Sequence, residues 1–187
     1  MVLLGIGLVF FFQAMLALIQ YRSSAEALQQ IVYWSMGSLT RANWAANGVL
    51  AAVLIIALPI LWVLGWRLTA LRLGDARATA MGINTSRLRV VVLIVVSLVA
   101  ATTVAFAGII GFIGLVGPHI ARMLVGEDQR YFLPASMAAG AAVMCAAHAV
   151  SLMIKPGLAI PIGIVTSLLG VPFFIAIVMT RRRALWT

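Results

Sequence analysis

Five stretches of this sequence contain no Asp, Glu, Lys or Arg over the length of a membrane-crossing helix: residues 1–21, 42–66, 90–121, 131–154 and 156–180. A bilayer core ~30 Å thick is spanned by roughly 20 apolar helical residues, and each run reaches that length. Charged residues make up only 9% of the 187, against about 25% in soluble domains, so little is left to coat a water-facing surface. Inside lipid every backbone N–H and C=O must find a partner within the protein, and helices do this segment by segment. The chain is therefore expected to be an all-α integral membrane protein, with residues 1–187 forming one transmembrane domain.

The few charges orient the spans. Thirteen Lys and Arg stand against four Asp and Glu, a net charge of +9. In a soluble protein such an excess suggests nucleic acid, but no polar face exists here to carry one, and no nucleic acid is expected. In a membrane protein the same excess marks the loops that stay inside the cell. The loop 67–89 holds Arg67, Arg72, Arg77, Arg87 and Arg89 and is placed in the cytoplasm. The run 90–121 decides the rest. As one helix its 32 residues would measure about 48 Å at ~1.5 Å per residue, and glycines recur in it at 108, 111, 114 and 117. A single crossing would carry Arg122, Arg130 and Arg181–Arg183 outside. Two crossings, with a turn near Gly108–Gly111, keep all ten of these arginines inside and leave only Arg22, Arg41 and Lys155 outside. The spacing thus predicts six membrane segments, the short fourth one near 112–126, with both termini cytoplasmic. The opening MVLLGIGLVFFFQAMLALIQ lacks a basic start and continues as a full span, so it reads as a membrane helix rather than a removable signal.

Between the spans, SSAEALQQIVYWSMG reads as a short amphipathic helix capped by Ser24 and lying at the membrane surface. In the loop 67–89 a short helix from about Gly74 to Met81 is stopped by Gly82, and Asn84 or Thr85 caps the next one. That loop is either a solvated connector or an element that docks a cytoplasmic partner. Five tryptophans, 34, 44, 62, 66 and 186, fall near the expected interfaces. Small residues crowd the segment 134–149, which lets helix backbones approach closely. Pro118 and His119 interrupt an apolar run, but no second ligand sits one turn away, so His119, like His148, reads as a hydrogen-bonded packing residue. Glu127, Asp128 and Arg130 read as a solvated turn. Cys145 is the only cysteine, too few for a disulfide or a thiolate metal site. No nucleophile–histidine spacing and no phosphate-cradling G-x-x-x-x-G-K-[ST] occurs. No catalytic residue, metal or cofactor is expected, and any ATP hydrolysis belongs to another chain.

Four blocks, AGIIGFIGLVGPHIARMLVGEDQRYFLPAS (107–136), LGDARATAMGI (73–83), QQIVYWSMGSL (29–39) and PIGIVTSLLGVPFFI (161–175), together resemble the permease subunits of ABC importers for iron–siderophore complexes, haem and vitamin B12. The resemblance implies a ten-helix permease that pairs with a second permease chain in the cell (inner) membrane. Cytoplasmic ABC ATPase subunits would sit below it, and a periplasmic or extracellular substrate-binding protein would dock outside. On it, this chain matches the last six helices and lacks the first four. A truncated, non-transporting fragment that keeps helix packing is the alternative. The resemblance makes Leu73, Gly74, Asp75, Ala76, Arg77, Ala80, Met81 and Gly82 the ATPase-coupling element, with Asp75 and Arg77 touching the partner and Ala76, Ala78 and Ala80 allowing close packing. It places Gln13, Met15 and Gln20 of the first helix on the translocation path. The family's usual ninth-helix Asp and Arg are replaced by His148 and Leu152, and Ala159 stands where an acidic residue is common. Lys155 then remains as the outer cation for binding-protein docking.

The arginine count yields a direct expectation: a reporter fused after Thr187 should be cytoplasmic. An external signal would break the six-segment reading.

Overall fold

The computed structural model describes residues 2–154 and 160–183, and its ordered elements there are all helices. In chain order they are α1 (Val2–Arg22), α2 (Ala25–Ser35), α3 (Trp44–Leu71), α4 (Asp75–Ala80), α5 (Thr85–Ala107), α6 (Ile113–Val125), α7 (Gln129–Ile154) and α8 (Ile162–Arg183). Four of them, α1, α3, α5 and α7, are long and apolar enough to cross a membrane. The thirteen residues of α6 extend only about 20 Å, short of a ~30 Å core.

The local signals act where expected. Ser24 accepts the Ala27 N–H, Asn43 the Ala46 N–H at 2.7 Å and Asn84 the Arg87 N–H at 3.0 Å, each capping the helix that follows. The 90–121 run breaks after Ala107. Gly108 takes φ +75° and Phe112 takes φ +65°, a left-handed conformation that is rare for a bulky residue, and α6 then runs back along the bundle. Loops 72–84 and 126–128 therefore share one end, where Arg72 bonds Glu127. This arginine-rich end is separated from the other by the length of α3, whose 28 residues span about 42 Å.

At the opposite end, three chain segments are tied through their backbones. Ser38 N–H donates to the Ala107 carbonyl at 2.9 Å, while Ile162 and Gly163 N–H donate to Gly37 and Met36 carbonyls at 3.1 Å each. The Trp34 indole N–H adds a bond to the Ala105 carbonyl at 3.3 Å. Ile162 and Gly163 open α8, so these contacts satisfy first-turn donors that have no partner within the helix. The approach is close enough that a Cβ on Gly108 would strike the Trp34 carbonyl and lie 2.9 Å from Gly37 Cα. Ala147, Ile162 and Val165 form a buried cluster beneath this junction, beside which the Ser151 hydroxyl donates to the Ile160 carbonyl.

Side-chain size governs the helix packing, as lipid supplies no hydrophobic drive between helices. In the α6–α7 hairpin, Gly117 and Ala121 are buried on α6, and a Cβ on Gly117 would sit 3.1 Å from Gly140 of α7. His119 packs between helices as expected, its ring edge-to-face on Phe173 of α8 with centroids 5.7 Å apart, but it makes no side-chain hydrogen bond among the described residues. Helix α1 stands apart, its side chains from Leu3 onward exposed except for half-buried Gln20.

Gly108→Ala should lower the thermal stability of the detergent-solubilised protein by about 1–3 kcal/mol or more, since it adds strain to a steric clash. Gly5→Ala, where an added Cβ meets nothing within 4 Å, should be neutral. Thermal unfolding followed by tryptophan fluorescence compares the two.

Candidate functional site

The arginine-rich end is built on α4. Gly74 (φ +97°) and Gly82 (φ +78°) bracket it, letting the chain turn sharply into and out of a six-residue helix that could not persist alone. Tertiary contact holds it instead: Ala78 is fully buried against Ala70 of α3 and Leu88 of α5, with Ile83 sealing the cluster. The close packing expected at Ala78 is made with the chain's own bundle. Ala76, Arg77 and Ala80 are exposed, and Leu73 and Met81 are 56% and 53% exposed at its two ends. Two large apolar side chains held outward on a polar loop are a feature of interaction surfaces. Asp75 is already engaged, accepting from Arg89 at 2.7 Å, whereas Arg77 makes no ion pair among the described residues.

The turn 126–128 is not merely solvated. Arg72, which closes α3, bonds both the Glu127 carboxylate and, at 3.1 Å, its carbonyl. Arg122 approaches the same carboxylate at 3.4 Å. Thr69 accepts the Gln129 N–H at 3.1 Å, and Asp128 accepts the Arg130 N–H at 3.0 Å, so the start of α7 is capped from both sides. The ion pairs are about half exposed and contribute little stability each. Their geometric effect is larger, for they join the footing of α4 to the α6–α7 hairpin. Sequence spacing could not show this, since Arg72 and Glu127 lie 55 positions apart.

The remaining expected site residues are not brought together. Gln13 and Met15 are exposed on α1 and Gln20 is half-buried. A concavity of about 710 Å³ opens elsewhere, beside the Gly37–Gly108–Gly163 junction, lined by Ser35, Met36, Ile109, Ser167 and Val171 among others. Sequence reading missed it because three distant segments form it. Lys155 lies outside the described residues, as does Ala159. Among the described residues no three His, Cys, Asp or Glu gather as a metal site.

Comparison with known proteins places this architecture. The model of the FecCD transport family matches residues 1–180. The hemin transport system permease protein HmuU of Yersinia pestis is 35% identical over 97% of this chain and 54% of its own length. The molybdate import system permease protein MolB of Haemophilus influenzae is 36% identical over 98% of this chain and 54% of its own. A solved structure of an ABC transporter, assigned to the metal-chelate type and in an inward-facing conformation, superposes with a TM-score of 0.90 at 36% identity, covering 95% of this chain and 58% of that one. The chain thus spans about half the length of the curated relatives it matches.

The burial pattern of α4 makes a sharp comparison. Ala78→Leu should overpack the loop and cost about 1–3 kcal/mol, seen as faster proteolysis between Arg72 and Arg89. Ala76→Leu and Ala80→Leu should leave the cleavage rate unchanged.

Proposed function

Because the chain belongs to the FecCD transport family, we propose that it acts as the transmembrane permease subunit of an ATP-driven ABC importer for iron–siderophore, haem or related metal-chelate substrates. The chain is a multi-pass membrane protein and a transport permease, not an enzyme. The observation that carries the proposal is α4: a short helix anchored through Ala78, with Leu73, Arg77 and Met81 turned outward at the arginine-rich end. In this reading Leu73–Gly82 docks a cytoplasmic ABC ATPase subunit, and ATP hydrolysis there drives alternating access. Arg77 is left to contact the partner directly, while Asp75 holds the element through Arg89.

Transmission has a physical route. A displacement of α4 pulls on α3 through Ala70 and Ala78. It reaches α6 and α7 through the Arg72–Glu127–Arg122 contacts and Thr69. Six membrane segments are proposed, resembling the last six of a ten-helix permease, with both termini cytoplasmic and the short α6 enclosed by protein rather than lipid. Gln13, Met15 and Gln20 would line the path once a second permease chain covers the bare faces of α1. Lys155 would meet the substrate-binding protein on the outer side. HmuU's name gives hemin and MolB's molybdate, and the proposal takes the metal-chelate class because the inward-facing structural neighbour is of that type.

Reversing charge at Asp75 and Arg77 together should reduce co-purification of the ATPase subunit about tenfold while leaving membrane insertion intact, as charged contacts chiefly set association. Unchanged co-purification, scored by native mass spectrometry of the C-terminally tagged protein, would remove the coupling assignment.

A further inference from the structure

Four carboxylates serve the whole chain: Glu26, Asp75, Glu127 and Asp128. Asp75 pairs with Arg89, Glu127 takes Arg72 and Arg122, and Asp128 caps the start of α7. Glu26 belongs to α2, whose far end is tied to the opposite side of the bundle through Trp34. Arg67 and Arg87 therefore make no ion pair among the described residues, and both line one pocket of about 480 Å³ between α3 and α5. Leu64, Trp66, Asn84 and Val91 are among its other walls, as is Gly82, where the pocket adjoins the end of the α4 loop. The Arg67 guanidinium lies over the Trp66 ring, 5.5 Å from the centroid.

The helix end reinforces this charge. Helix α5 begins at Thr85 beside the pocket, with no acidic residue in its first turn. Its positive dipole end thus meets Arg87 rather than a carboxylate, an arrangement that repels itself until an anion enters. Apolar surface leads away from the same place: Val63 and Ile60 on α3, and Ile94 and Leu98 on α5, are all exposed. The pocket sits where exposed apolar helix surface gives way to charge, and an indole stands at that level.

We propose that this pocket holds the phosphate of an anionic membrane phospholipid, between Arg67 and Arg87, with its acyl chains along the exposed faces of α3 and α5. Basic pockets between helices on the cytoplasmic side suit such headgroups. An acidic protein segment fits less well, because Leu64 and Val91 line the site and a peptide backbone entering there would forfeit hydrogen bonds.

The test reconstitutes the chain in nanodiscs of phosphatidylcholine with phosphatidylglycerol, extracts it gently and counts retained lipid by native mass spectrometry. Wild type should retain phosphatidylglycerol in preference to phosphatidylcholine. R67Q/R87Q should lose that preference roughly tenfold, R67K/R87K should keep part of it, and R22Q/R41Q should match wild type. Circular dichroism confirms that each variant is folded, and the lysine pair reports on the site if the glutamine pair is not. Equal retention by wild type and R67Q/R87Q overturns the proposal. So does inorganic phosphate stabilising the detergent-solubilised protein as well as phosphatidylglycerol does, which would make this a soluble-anion site. Loss of ATPase binding in R67Q/R87Q with lipid retention intact would give the pocket to a protein partner instead.

Discussion

The backbone hydrogen bonds that join Gly37, Ala107 and the opening residues of α8 set the shape of one end of the bundle. Each helix that stops inside or near lipid leaves N–H or C=O groups without partners, and a membrane offers no water to take them. Here the end of α5 and the start of α8 resolve that problem on a third segment, the turn after α2. The solution requires backbones to touch, so side chains are excluded: Gly108 could not gain a Cβ without striking Trp34. The reversal into α6, the seating of α2 and the direction of α8 all follow from this contact.

At the other end, charge rather than backbone contact organises the chain. With four carboxylates available, each ion pair is a choice. Glu127 is spent on the α3–α6 joint and Asp75 on the α4–α5 joint. These exposed contacts supply little stability, yet they join the loops at this end of the chain. The result is a short helix whose inner face is fixed by Ala78 and whose outer face remains open, linked by contacts through α3 to the α6–α7 hairpin. The proposed docking of an ATPase subunit would act on such an element.

Much of this could be read from residue order. Placing Arg122 and Arg130 beside the loop 67–89 already required the run 90–121 to turn back, and the break at Gly108–Phe112 lies where glycines permit it. Gly74, Gly82 and Asn84 located α4 and the start of α5 because caps and stops act within one helical turn. Ala76, Ala78 and Ala80 were all expected to allow close packing, and which of them is buried was not legible, because three alanines at every second position look alike until α3 and α5 close on one of them. His119 was expected to hydrogen-bond and instead meets Phe173, a neighbour 54 positions away in sequence that no local pattern announces. The 710 Å³ concavity was invisible for the same reason, as residues from α2, α5–α6 and α8 form it.

Apolar run length and arginine position, taken alone, indicated a membrane protein, helical throughout its spans, in which the loops holding Arg72 and Glu127 share an end. Those properties depend on solvation of each segment by lipid or water, which is local and additive along the chain. Which glycine touches which carbonyl, which arginine finds a carboxylate and which alanine is covered depended on helices meeting in space. Close packing and ion pairing are decided between segments, at separations of a few ångströms that only the assembled bundle defines.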